Sequence, residues 1–218
     1  MVLSSWMDDG GQSLQRVPAL LSTRDRIIEA AHLLFQQHGY GRVSVDSIAE
    51  TASVTKRTLY HHFRSKDDLL AETAEMRSAK ATAHLRQRMT PAPVDNDAFI
   101  DELFDEIAGP RNIARWTGVG FTRIALELTH LPGHPARALA RRHKVDLEGW
   151  LSDQLQSRRI RDPAGTARDV MLLLEGSLVL VIMHGDRAYA DRAANAAKAL
   201  IKTRRIAPTD ATVAAAFM

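Results

Sequence analysis

The sequence predicts an all-α fold: a small N-terminal head of three helices with a helix-turn-helix, then a larger C-terminal helical domain, about nine helices in all. Three observations carry this. Apolar residues recur at three- and four-residue spacing, which puts them on one face of a helix. The apolar stretches open on Ser, Thr or Asp and close on Gly or Pro, residues that suit the free ends of helices. No stretch alternates apolar and polar residues as a half-buried strand would, and there is no internal repeat or low-complexity block.

Each element follows in order. Ser22 with Asp25 makes a capping-box start for a first helix, whose Ile27, Ile28, Ala31, Leu34 and Phe35 keep helical spacing until Gly39 ends it at a left-handed cap. Ser44 caps a second helix, with Val45, Ile48, Ala49 and Ala52 on one face. Thr55 caps a third, and Ser65 with Asp68 starts a fourth that runs to about Met89 and connects the head to the rest. Together the head helices can bury a small core of Ile28, Leu34, Phe35, Val45, Ile48, Ala49, Leu59 and Phe63. Two prolines and acidic turn residues make 90–97 a linker. Residues 98–108 read as an amphipathic helix capped by Asp97 and broken by Gly109 and Pro110. Residues 111–130 are expected to be helical with an interruption near Gly118 and Gly120, 131–134 to turn, and 135–158 to form a helix. The stretch 162–186 is apolar nearly all round from Val170 to Met183 and must be covered on more than one side. Residues 187–205 are alanine-rich, which allows close helix approach, so the last two helices read as halves of an intersubunit four-helix bundle. The domain reading is a flexible tail at 1–21, the head at 22–67, a second domain at 68–206 and a C-terminal tail at 207–218.

Composition narrows the class. The chain has 218 residues, 45% hydrophobic and 25% charged, which is ordinary for a soluble globular protein with a sizeable core. With no cysteine, disulfides, thiolate metal sites and thiol catalysis are excluded. No apolar run approaches a membrane span, and the first twenty residues lack the continuous apolar stretch of a signal peptide, so a cytoplasmic address is expected.

The third helix carries the chemistry. Lys56, Arg57, Thr58, Tyr60, His61 and His62 are nearly all polar donors, and only Leu59 and Phe63 are left to face a core. Such side chains suit a phosphate backbone and base edges: an Arg57 fork matches the two acceptors of guanine, Thr58 can meet a thymine methyl, and Tyr60 can lie on sugar while its hydroxyl reaches phosphate. The whole chain carries only +3, but residues 55–66 hold four bases and no acid, the local basic footprint of a DNA binder.

The order TRDRIIEAAHLLFQQHGY…SVDSIAETASVTKRTLYHHFRSKDDLL resembles the N-terminal domain of the tetracycline-repressor (TetR) family over about residues 23–70. The matching parts are the AA…LF…HGY of the first helix, the IA…A of the second, and VTKRTLYHHF followed by SKDDLL. Ser53 departs from the pattern, since the family usually has Gly in that turn; either Ser holds the same backbone at some cost in strain or the turn differs slightly. The resemblance implies a homodimeric repressor, paired through the last two helices, that binds a palindromic double-stranded DNA operator and is released by a small-molecule effector. It implies that Ser44 holds phosphate at the start of the second helix. Lys56, Arg57 and Thr58 would face base edges, Thr55, Tyr60 and His61 would clamp phosphates, and Lys66 would pair with another phosphate.

The same resemblance places an effector site among the C-terminal helices, with Trp116, Phe121, Arg123, Leu126, Trp150, Met171, Glu175 and Met183 as candidates beside the alternative that they are simply core. Glycines at 118 and 120 between Trp116 and Phe121 suggest a broken helix bordering a cavity. Glu175 lies inside an apolar run and needs a partner, water or a ligand. His130 and His134 flank Pro132 and Gly133 in a turn, not one helical face, so neither a metal site nor any other cofactor is expected. The other function classes are a ligand-independent architectural DNA binder, which a pocket-free second domain would favour, and an enzyme, for which no phosphate loop, nucleophile elbow or zinc-helix motif is present.

Overall fold

The computed structural model describes residues 21–109 and 120–206. These form nine helices: α1 (Thr23–His38), α2 (Val45–Thr51), α3 (Lys56–His62), α4 (Lys66–Arg88), α5 (Asn96–Ala108), α6 (Gly120–Glu127), α7 (Pro135–Ser157), α8 (Pro163–His184) and α9 (Ala188–Arg204). The expected tails (Leu21 apart), and the predicted helix from 111 as far as Val119, lie outside the described residues, as does Trp116.

The head helices start where their caps dictate. Ser22, Ser44, Thr55 and Ser65 each accept a hydrogen bond from the backbone N–H three residues on, at 3.0–3.1 Å, satisfying a donor that the first turn leaves free. The turn between α2 and α3 has Ser53 at φ +55°, the left-handed conformation that glycine adopts most readily, so of the two expected alternatives Ser53 holds the strained backbone. Gly39 ends α1 at φ +79° and donates to the Phe35 carbonyl at 2.9 Å.

The head core holds the residues read from the sequence, among them Ile28, Phe35, Ile48, Leu59 and Phe63; Val45 packs against it only partly buried. It also contains Leu69 and Leu70 of α4, Leu128 just beyond α6 and Ala136 of α7, so the two domains share one cluster. One expectation is corrected: α5 is capped by Asp95, whose carboxylate accepts from the Ala98 N–H at 2.8 Å, while Asp97 lies in the first turn, where its charge suits the helix dipole.

In the second domain α5, α7, α8 and α9 enclose a larger core built on Phe99, Leu103, Leu151, Leu155 and Leu174. The alanines of α9 (190, 193, 194 and 197) are buried in this cluster, which lets α9 lie close to α8 of its own chain. The opposite side of α8 leaves Leu172, Val179, Leu180, Ile182 and Met183 exposed. No helix among the described residues is long and apolar enough to cross a membrane.

Candidate functional site

Helix α3 is anchored by two side chains and presents the rest outward. Leu59 is completely buried and Phe63, at the C-cap, is nearly so, whereas Lys56, Arg57 and His61 are exposed and Tyr60 is 46% exposed. Thr58 and His62 are half-buried, and the His61 and His62 rings meet edge to face at 5.5 Å. Thr55 and Ser44 spend their hydroxyls on capping: Thr55 Oγ1 also lies 2.8 Å from Thr58 Oγ1, and Ser44 Oγ lies 3.1 Å from Ser47 Oγ. The structure therefore brings Lys56, Arg57, Tyr60 and His61 onto one exposed helix, with Ser44 and Thr55 at the adjoining helix starts.

Two lysines of the set are already engaged. Lys56 Nζ donates to Asp46 Oδ2 of α2 at 3.0 Å, and that carboxylate raises the lysine's pKa. Sequence reasoning passed over Asp46, which lies ten residues upstream and meets Lys56 only once the turn has folded. Lys66 Nζ lies 4.1 Å from the centroid of the Tyr40 ring, and partial burial lowers its pKa against the opposing pull of Asp67.

The start of α4 is also the joint between the domains. The Tyr40 hydroxyl donates to Asp67, and burial together with that hydrogen bond pushes the phenol pKa well above its usual range. His134, buried at the start of α7, accepts the Ala136 N–H on Nδ1 at 3.1 Å and turns Nε2 toward Asp67 at 3.4 Å. A second joint lies at Gly39. Glu127 of α6 accepts the Tyr40 N–H at 2.7 Å and pairs with Arg123, whose guanidinium donates to the Gln36 carbonyl at 3.2 Å. A Cβ on Gly39 would lie 2.5 Å from that guanidinium and 2.7 Å from the Glu127 carboxylate, so those two side chains would have to shift, and the φ of +79° is itself one that favours glycine.

Behind these joints lies a cavity of about 330 Å³, bordered by α1, α4, α5, α6 and α7. Its lining is mostly apolar and aromatic, with Phe35, Tyr40, Phe121 and Trp150 prominent. Among the predicted pocket residues, Phe121, Arg123 and Trp150 line it. Met171 does not: it is buried in the α5/α7/α8/α9 core. Leu126 and Met183 are 64% and 70% exposed and face away from any core. Glu175 is outside the lining, and its need for a partner is met by Lys144 and by the Thr122 hydroxyl at 2.8 Å. Lys144 does line the cavity, so Glu175 supports its wall from behind.

The lining also holds residues that sequence reasoning missed. His143 stacks on Phe121 with ring centroids 4.1 Å apart, and its Nδ1 lies 2.8 Å from Ser78 Oγ. Burial first, then Lys144, holds the His143 pKa down to about 4; burial and then Arg77 do the same for His32 of α1. Along α4, Thr73, Arg77, Lys80 and His84 recur at four-, three- and four-residue steps. That polar stripe on a helix already committed to a core was the available signal. Among the described residues no group of three or more His, Asp and Glu could hold a metal.

Comparison with known proteins agrees with this geometry. Residues 27–73 match the family model described as bacterial regulatory proteins, tetR family. The chain is 31% identical over 85 residues to the transcriptional regulator UidR of Escherichia coli K12, covering 39% of this chain and 41% of that one. It is 40% identical over 95 residues to a probable acrEF/envCD operon repressor of the same organism, covering 44% and 42% of the two chains. The matches thus span about two fifths of the length of these curated relatives. The fold extends further. A TetR-family regulator from Streptomyces coelicolor superposes with a TM-score of 0.74 at 20% identity, over 84% of this chain and 96% of that one. A TetR-type regulator from Streptomyces avermitilis does so with a TM-score of 0.66 at 26% identity, over 81% and 98%.

Proposed function

We propose that this chain, whose N-terminal domain belongs to the tetR family of bacterial regulatory proteins, is a DNA-binding transcriptional regulator. The observation that carries the reading is helix α3, anchored by Leu59 and Phe63 with Lys56, Arg57, Tyr60 and His61 turned outward. Arg57 and Lys56 read base edges in the major groove with Thr58. Tyr60, His61, Thr55, Ser44 and Lys66 hold the flanking phosphates and set the register.

The finer reading is a cytoplasmic homodimeric repressor of a palindromic operator. The exposed apolar side of α8 supplies a surface for a second copy, so that α8 and α9 of two chains make a four-helix bundle. The dimer then sets the two α3 helices about 34–36 Å apart, or a multiple of it, to meet successive major grooves. The cavity supplies the effector site and favours a ligand-responsive regulator over an architectural DNA binder. Its walls include the α1 terminus, α4 and α6, the segments that hold the head. An effector that prefers a shifted arrangement of these helices draws the heads off register, by no more than its differential affinity for the two shapes allows.

The test is fluorescence anisotropy of the purified protein on the DNA upstream of its own gene, with unrelated DNA as competitor. Binding tighter than to unrelated DNA, weakened strongly by Tyr60→Ala with the oligomeric state unchanged, is the expected result. Unchanged affinity in Tyr60→Ala removes α3 as the recognition helix.

A further inference from the structure

We infer that the cavity takes an uncharged, flat aromatic molecule of about two or three fused rings, and that it discriminates against ionised ligands. This rests on the cavity being the effector site and adds the chemical class of its occupant.

Shape comes from the aromatic wall. The His143 and Phe121 rings lie nearly parallel, 27° apart, with centroids at 4.1 Å, and Trp150, Phe35 and Tyr40 add further ring surface around the same space. Flat rings pack on such surfaces by offset stacking and edge contact, gaining more than their buried area alone gives. A half-open space of about 330 Å³ suits a small fused-ring molecule.

Charge selectivity comes from how the wall's ions are disposed. Arg77 pairs with Glu29, and Lys80 approaches the same carboxylate at 3.4 Å. Lys144 pairs with Glu175 and Arg123 with Glu127. His84 meets Glu106 at 2.9 Å. Arg77, Lys80, Lys144 and Arg123 therefore each face a carboxylate of the protein's own, Arg86 and Asp146 of the lining are exposed to solvent, and the imidazoles of His32 and His143 are uncharged at neutral pH. An ionised ligand entering this space would give up its hydration and find the four cations Arg77, Lys80, Arg123 and Lys144 already paired, which is the unfavourable way to bury a charge. An uncharged ring loses little hydration and keeps the same stacking. A hydroxyl or carbonyl on it can be met by neutral imidazole, which both donates and accepts.

The test uses the full chain and three probes of one ring size: 2-naphthol, 2-naphthoate and 2-naphthylmethylammonium, titrated by calorimetry at neutral pH. 2-Naphthol is expected to bind at least about tenfold more tightly than either ion, and Phe121→Ala to weaken it. Glu175→Gln removes the carboxylate behind Lys144 and should shift the preference toward 2-naphthoate. Either ion binding as tightly as 2-naphthol, or a preference unmoved in Glu175→Gln, overturns the charge argument. No binding of any probe to protein that still binds DNA overturns the flat-ring class. Tight 2-naphthol binding that leaves DNA affinity unchanged keeps the ligand class and removes the effector reading, so the two failures are distinguishable.

Discussion

The pair between Lys56 and Asp46 gives the sharpest handle on the DNA-facing surface. Lys56 lies on the exposed side of α3, yet its ammonium is held 3.0 Å from a carboxylate of α2 that is itself well exposed. That carboxylate also places a negative charge where phosphates are expected. Asp46→Asn keeps the side-chain shape, leaves the Ser44 cap untouched and releases Lys56. An exposed pair adds little to folding, so the head should remain as stable as before to within experimental error. Its effect on DNA binding should be large because counterion release is counted per contact. One additional phosphate contact steepens the salt dependence of log K by about 0.9, and the two heads of the proposed dimer give about 1.8. Between about 200 and about 50 mM salt, a fourfold change, that steepening is worth about 12-fold in affinity over the native protein's own gain. Anisotropy titrations across that salt range, on operator and on unrelated DNA, measure it directly. The double variant Asp46→Asn/Lys56→Met should lose the added slope. A slope unchanged in Asp46→Asn, or an affinity that falls at low salt, would show that Lys56 does not reach phosphate and that the pair serves the head's fold instead.

Three further outcomes are expected. Ser53→Gly relieves an exposed left-handed residue; set against the greater unfolded entropy of glycine, it should stabilise the head by up to about 1 kcal/mol in urea melts, and destabilisation would mean the Ser53 side chain matters to the turn. Lys66→Ala should weaken binding to all sequences alike and flatten the salt slope by about one unit per head; an unaltered slope would leave Lys66 as the partner of Tyr40 alone. His32 and His143 titrate near 4 in the folded chain and near 6.5 unfolded, so between those values the unfolded state binds more protons, and stability, full above about pH 6.5, is lost as pH falls toward 4. From pH 7 to pH 5 the loss is on the order of 2 kcal/mol per imidazole. For His32 the groups to consider are Arg77, Lys80 and Glu29; for His143 they are Lys144, Asp146 and Glu175. A glutamine at either position should remove its share, and equal acid sensitivity in native and doubly substituted protein would refute the assignment.

The head was legible because its determinants are local. Ser22, Ser44, Thr55 and Ser65 accept bonds from residues three positions away, whereas the choice between a strained Ser53 and an altered turn was settled only by its φ of +55°. Asp97 was taken for the cap of α5 although Asp95 holds it, because two acidic residues two positions apart satisfy the same local rule and only the linker's path decides between them. The cavity was legible only in part. Phe121 and Trp150 line it as aromatic residues in a helical domain often do, but Met171 and Met183 carry the same apolar signal, and one is core while the other is surface. Burial of that kind depends on which helix lies opposite. Lys56 with Asp46, Arg77 with Glu29 and Lys144 with Glu175 are separated by 10, 48 and 31 residues, so no spacing rule points to them.

The joints explain how a cavity under the head could act on the head at all. Were the head tied to the rest by α4 alone, a ligand pressing on α6 or α7 could be absorbed by slack in the chain. The structure leaves little. Leu128 and Ala136 of the second domain are part of the head's own core, so a shift at the end of α6 or the start of α7 disturbs packing beneath α1. Gly39 lies against the Arg123 guanidinium and the Glu127 carboxylate, and Glu127 holds the Tyr40 N–H while Arg123 holds the Gln36 carbonyl. Tyr40 in turn reaches Asp67 in the first turn of α4, beside Lys66, and His134 approaches the same carboxylate from α7. Tyr40, Arg123 and Glu127 all line the cavity as well. On the proposed reading an occupant need not signal over a distance: the side chains it touches are the ones that hold α1 and α4 in place, and α4 leads back to the phosphate-facing end of the head.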